Sequence, residues 1–214
     1  MPYDRQVVVQ LDFDSTISDN AAALNKYGND KGIPSELVQV HAGIGNVGFK
    51  PMDVAKLTQA LKKLSLRSRV YLQAHGAWKT QKLSDYDGDQ VAGLLVGCGI
   101  PAVQVVSVLG CESGRDLGTA NDARVAASMD SFGSRFHRAL RDKGGLKLSV
   151  FARIYCVGIG NPVEETGKNV KWHGHKGTFD EDDDWDSWKT ASHRSKSKLR
   201  FYWDGETQRR EWAY

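Results

Sequence analysis

The sequence predicts an α/β fold in which a mostly parallel sheet carries helices on both faces. Short apolar, β-branched runs alternate with amphipathic stretches as far as about residue 160. The runs are nearly continuous in their hydrophobicity, as strands covered on both faces must be. The strand–helix order repeats, which is the mark of parallel strands joined by crossover helices.

Gln6–Leu11 (QVVVQL) reads as a buried strand and Ser18–Tyr27 as a short helix. Glu36–His41 is a second strand, and Asp53–Leu64 places apolar residues at helical spacing with lysines opposite. Arg69–Ala74 is a third strand, Asp85–Val96 a helix and Ala102–Leu109 a fourth strand. Ser131–Lys143 is an amphipathic helix, followed by a strand at Lys147–Tyr155. Beyond residue 160, Gly, Trp and charge dominate and helical periodicity disappears. An acidic run, Asp180–Asp186, gives way to a basic one, Lys189–Arg200, and the last strand is expected at Lys198–Trp203. One domain, 1–214, is therefore expected, with an α/β core over 1–160 and a C-terminal β-flap over 161–214 packed on the sheet edge.

The 214 residues are enough for one substantial core, and 40% hydrophobic with 26% charged residues is ordinary globular composition. A net charge of +3 is too small to argue for nucleic acid. Met1–Arg5 offers no basic and apolar leader, and no apolar stretch approaches the roughly 20 residues that span a bilayer. The three cysteines, Cys98, Cys111 and Cys156, are an odd number with no CxxC pair. That pattern argues for a reducing compartment and against a disulfide framework or a structural zinc site. A soluble monomer acting in a cytosol is expected, with no metal.

Two strand ends carry the informative residues. The third strand ends in Ala74-His75-Gly76, and the fourth in Leu109-Gly110-Cys111-Glu112-Ser113-Gly114. A separation of 36 residues leaves room for one crossover helix. Both side chains then stand at the same edge of the sheet, where ligands of such folds bind. A thiol peptidase needs a nucleophile and an imidazole on rigid supports facing one cleft. Cys111 is the expected nucleophile and His75 its acid/base partner, with the Gly76 and Cys111 N–H groups as an oxyanion hole. Cys98 and Cys156 read as small core residues, and His41 and His137 as structural ones.

At these residues the sequence resembles the clan CD, caspase-like cysteine peptidases. Its likeness is greatest to the self-processing cysteine protease domains of RTX and large clostridial toxins. The resemblance also rests on the Ala-rich helix of Asp19–Tyr27, on Leu83-Ser84-Asp85-Tyr86 and on Phe132-Gly133-Ser134-Arg135-Phe136. It implies a caspase-like three-layer sandwich, a polypeptide substrate, cleavage after leucine, usually in cis, and activation by inositol hexakisphosphate at a basic flap. It requires no cofactor for the chemistry. By position, the polyphosphate would meet Lys168, Lys171, Lys196, Lys198 and Arg200, with the acidic run of 180–184 opposing it. Some members of the family add an acidic residue that orients the histidine; Pro34-Ser35-Glu36 lies near that place without a firm match, so a Cys111/His75 dyad is expected. About five residues precede the first strand, which leaves little to cut in cis. The expectation is an excised domain, or a peptidase working in trans, in a host cell after delivery if it is part of a toxin.

Two alternatives come from other classes. Val7–Ser18 (VVVQLDFDSTIS) fits a haloacid dehalogenase-type phosphatase signature, with Asp12 as phosphoryl acceptor, Asp14 as acid/base and Mg²⁺ between them. The later lysine and acidic elements of that signature are missing. The other alternative is a catalytically silent polyphosphate-binding module. His173-Gly174-His175 has the spacing of a metal pair on an extended segment, and a Gly-flanked polar loop explains it equally well. Gly158-Ile159-Gly160 lacks the third glycine of a dinucleotide fingerprint.

Overall fold

The computed structural model describes residues 3–46, 48–77, 79–116, 129–153, 157–163, 168–173 and 198–212, with backbone only at 46, 157–163 and 168–173. In chain order the elements are β1 (Gln6–Gln10), α1 (Ser15–Asp30), β2 (Ser35–Gln39), α2 (Pro51–Leu61), β3 (Arg69–Gln73), β4 (Gly76–Ala77), β5 (Lys82–Leu83) and α3 (Gly88–Gly97). They continue with β6 (Val105–Leu109), α4 (Phe132–Gly144), β7 (Val150–Arg153), β8 (Val157–Val163), β9 (Lys168–His173), β10 (Lys198–Asp204) and β11 (Thr207–Trp212).

Seven strands form one sheet in the order β11-β10-β7-β6-β3-β1-β2. The five from β7 to β2 are parallel, and β10 and β11 add antiparallel at one edge. The predicted mostly parallel sheet is thus present, and its edge hairpin is the part of the tail that the sequence assigns to the sheet. Strands β4 and β5 form a small separate hairpin, and β8 pairs with β9 in another that runs beside α1.

Alternation along the strands gives the sheet two apolar faces. Val7, Val9, Val70, Leu72, Val106, Val108, Ala152, Leu199 and Phe201 point to one face, under α2, α3 and α4, with Leu57, Leu61, Leu95, Phe136 and Leu140 fully buried against them. Val8, Tyr71 and Leu109 point to the other, where α1 covers them with Ala21 and Leu24. The result is the three-layer α/β sandwich that the sequence predicts.

The helices begin where side chains satisfy their first N–H groups. Asp14 caps α1 through Ile17, Asp87 and Gln90 form a reciprocal capping box on α3, and Ser131 caps α4 through Ser134. Helix α1 starts three residues earlier than the sequence suggests, because Asp14 outweighs the weak helix preference of Thr16 and Ile17. Leu83–Tyr86 does not open α3; it is a tight turn closed by Leu83 pairing with Tyr86, with Ser84 at φ +56. Cys98 is buried against the Val54 carbonyl at 3.7 Å, and burial pushes its thiol up, as befits a core residue. Cys156 lies outside the described residues.

His137 is fully buried between the Leu148 carbonyl and the Gln208 side chain, and desolvation pulls it down to about 4. It is a neutral structural residue. Asp116, also fully buried, receives Arg210 at 3.0 Å and the backbone N–H of Asp130, also at 3.0 Å. Its position joins the two ends of the stretch 117–129. Phe136 stacks on Phe132 in the larger core, and Phe136→Ala should cost about 3–5 kcal/mol by urea denaturation, from lost transfer energy and an unfilled cavity.

Candidate active site

The parallel register sets the predicted pair abreast. Gln73 on β3 pairs with Leu109 on β6, so His75 and Cys111 each stand two residues beyond the same row. The connection between them is α3, as the spacing suggests. Beyond this row the chains touch backbone to backbone. A Cβ placed on Gly76 would lie 2.1 Å from the Cys111 carbonyl oxygen and 2.8 Å from its nitrogen. A Cβ on Gly110 would lie 2.2 Å from Leu83 Cδ1. Only glycine at position 76 allows the backbone approach, and it brings the amides of Gly76 and Cys111 into the same small volume.

The surrounding backbone is held in unusual conformations. Gln81, Ser84 and Glu112 all have positive φ, near +55, and all three flank the two strand ends. Conformations of this kind persist where neighbouring structure imposes them. Here Ser84 donates its N–H to the His75 carbonyl at 2.6 Å, Gln81 donates its side-chain amide to the Arg115 carbonyl, and Glu112 accepts from Arg115 at 2.7 Å. The turn after Cys111 is anchored to β7, with the Gly114 N–H on the Arg153 carbonyl and the Arg153 N–H on Ser113 Oγ. Cys111 itself is half-buried, in reach of solvent.

The acidic partner of His75 is Asp14. Its Oδ2 lies 2.5 Å from His75 Nε2, while its Oδ1 caps α1 through the Ile17 N–H. Burial alone would raise the Asp14 carboxyl, but the Ile17 N–H and the charge and hydrogen bond of His75 outweigh it and hold it below the usual range. Pro34-Ser35-Glu36, the place where the resemblance puts such an acid, does not supply it. Those residues begin β2 at the amino edge of a parallel sheet, and Glu36 pairs with Lys63 at 2.8 Å. An acid that can reach His75 must stand at the carboxyl edge, and Asp14 follows β1 there. The sequence carries its signal as an N-cap aspartate just past the first strand, inside the segment that also resembles a phosphatase motif.

Of the other predicted residues, Lys198 and Arg200 lie on β10. Arg200 donates to Ser149 Oγ and to Glu211, beside a groove of about 510 Å³ lined also by Tyr3 and Phe151. Lys198 Nζ sits 3.9 Å from the Phe151 ring centroid. Burial, then the charges of Arg153 and Arg69, pull its amine down to about 8. Arg69 and Arg153 carry no obvious sequence signal, yet by strand alternation they share the α1 face with Lys198. Burial lowers Arg153 to about 10. Arg69 stacks on Tyr3 and Tyr71 and donates to Gln6 Oε1. Lys168 and Lys171 have described backbone in β9, while the side chains of both, and all of Lys196, lie outside the described residues, as does His175. Among the described residues, no helix is long and apolar enough to cross a membrane.

Asp14→Asn separates the two duties of this side chain. Asparagine caps a helix as well as aspartate does, so thermal stability should stay near that of the parent. The charge facing His75 is lost, and any turnover that uses His75 as acid or base should fall in kcat/KM by roughly 10- to 100-fold, part of the ~10²–10⁴ that acid–base catalysis contributes.

Comparison with known proteins gives one informative match. No curated protein matches the chain. Among solved structures, pyridoxal kinase from Staphylococcus aureus with AMP-PCP and pyridoxal is 14% identical, over 96% of this chain and 70% of that one, at a TM-score of 0.33. The same kinase without ligand scores 0.31 at 14% identity and the same coverage. Scores so low carry no conclusion about fold or activity. The sequence profile of the Peptidase C80 family, by contrast, matches residues 1–170, and the chain belongs to that family of cysteine peptidases.

Proposed function

We propose that the protein hydrolyses peptide bonds with Cys111 as nucleophile and His75 as general acid, oriented by Asp14. The observation that carries this reading is the shared register of β3 and β6 together with the 2.5 Å contact between His75 Nε2 and Asp14. With Nε2 donating to the carboxylate, Nδ1 is the nitrogen left to exchange a proton with the thiol and the leaving amine. Cys111 Sγ, as thiolate, attacks the scissile carbonyl carbon, and the oxyanion that forms is received by the Gly76 and Cys111 N–H groups. Imidazolium then protonates the amine as the C–N bond breaks, leaving a thioester. Water, deprotonated by the now neutral imidazole, hydrolyses the thioester and regenerates the thiol. His75 and Asp14 are both well exposed, at 57% and 40%, so their ion pair contributes little to stability and is better understood as serving the chemistry. The phosphatase reading would make Asp14 an acid/base on its own; its engagement with an imidazole fits the peptidase better.

The finer reading is a peptidase that cleaves after leucine, in cis or in trans, under control of inositol hexakisphosphate. Its support is the cationic face: burial and then the nearby charges of Arg153 and Arg69 lower the Lys198 amine to about 8. A polyanion placed against them would relieve that repulsion. The flap hairpin β8–β9, running beside α1, would then settle on the same face, an order that could be transmitted to the cleft through β7 and the Cys111 turn.

A peptidyl acyloxymethyl ketone with leucine at P1 should label Cys111 alone, faster with inositol hexakisphosphate and not at all in His75→Ala. Labelling without stimulation would retain the peptidase and discard the activator; no labelling of the native fold would overturn both. The binding step has its own signature. Lys198 is near half-protonated at pH 8, and a bound polyanion restores its charge, so binding there should take up protons. Titration calorimetry in buffers of different ionisation enthalpy should show an uptake that Lys198→Met reduces.

A further inference from the structure

Asp12 stands beside the catalytic groups with no part in the proposed reaction. One donor atom from each of Asp12, Asp14 and His75 lies within 4.8 Å of the other two. The loop that presents them is fixed from several sides. Asp12 Oδ1 accepts the Phe13 N–H at 2.8 Å, and the Asp12 carbonyl accepts Gln10 Nε2 at 2.8 Å. Phe13 lies flat on the His41 ring, 3.9 Å between centroids at 4°. His41 is in turn held by Asp53, through both its ring Nδ1 at 2.8 Å and its backbone N–H at 3.1 Å. A stacked aromatic between two aspartates keeps both carboxylates where they are, and α1 anchors the second through its cap.

We propose that Asp12, Asp14 and His75 form a site for a divalent transition cation of the zinc type, and that its occupation switches the peptidase off. The donor set is two carboxylate oxygens and one imidazole nitrogen, the mixed set that suits zinc. Magnesium prefers oxygen ligands alone and gives up its water reluctantly. Asp14 Oδ1 is committed to the helix, so Oδ2 serves either the cation or His75, never both fully. When the cation binds, the proton on Nε2 leaves to solvent, Nε2 becomes a ligand and the remaining coordination positions take water. A ring ligated in this way cannot become the imidazolium that protonates the leaving amine and supports the thiolate. The inhibition rests on the peptidase reading; the binding does not.

Two arms test it. In the Cys111→Ala protein, which has no nucleophile and no competing thiolate, zinc titrated calorimetrically should occupy one site that disappears on adding either Asp12→Asn or His75→Ala. In the active protein, Asp12→Asn should hydrolyse peptide normally without zinc. It should also require more zinc for half-inhibition, by at least the roughly 10- to 100-fold that loss of even a supporting group costs a metal site. Binding in Cys111→Ala that Asp12→Asn leaves unchanged would overturn the site, because zinc would then be held elsewhere. Inhibition equally strong in Asp12→Asn would overturn the switch and assign the effect to the Cys111 thiolate. Absence of any peptidase activity would end the proposed function, while the first arm would still decide the site.

Discussion

Strands β1, β3 and β6 run level, so Gln10, Gln73 and Leu109 end in one row and everything chemical is hung just beyond it. What fixes the arrangement there is a contact with no side chain in it, Gly76 backbone against Cys111 backbone. A methyl group on Gly76 would have to displace the carbonyl oxygen of Cys111. The cleft therefore depends on register and close approach together. Register is set by the valine-rich strands and the two cores that sandwich them, while approach is set by the absence of a Cβ atom at Gly76. The positive-φ residues around the row show that the fold forces the backbone into place there.

The two faces of the sheet do different physical work. The face under α2, α3 and α4 is closed with leucine and phenylalanine and supplies most of the apolar burial. The α1 face is smaller, and at its β10 side it gives way to Arg153 and Lys198, whose protonation is opposed by burial and, at Lys198, by the neighbouring arginines. Burying charge without full compensation is costly, and the larger core is what lets the chain hold it. Asp14 stands just past β1 and caps the helix that covers the smaller apolar core.

Much of this was legible because the signals are local. Valine-rich runs, the amphipathic period of α4 and the strand-terminal His75-Gly76 and Gly110-Cys111 all announce themselves within a few residues. Less legible were features that need two distant segments. Asp14 could not be matched to His75, 61 residues away, by spacing alone. Its segment also resembles a phosphatase motif, because both readings use a carboxylate just past the first parallel strand. Arg69 and Arg153 look in sequence like ordinary strand-end charges, and only the order β10-β7-β6-β3 puts them on the face of Lys198. Strand β11 was missed because its alternating Arg, Gln and Glu side chains leave half of an edge strand to solvent.

Asp116 receives its hydrogen bond from Asp130 and its ion pair from β11, so the stretch between them starts and finishes at one buried carboxylate. When two flanking residues are tied together, the length of chain between them enters the closure cost only as a logarithm. Evolution can therefore lengthen, shorten or rewrite that stretch while the Cys111 turn and α4 keep their places.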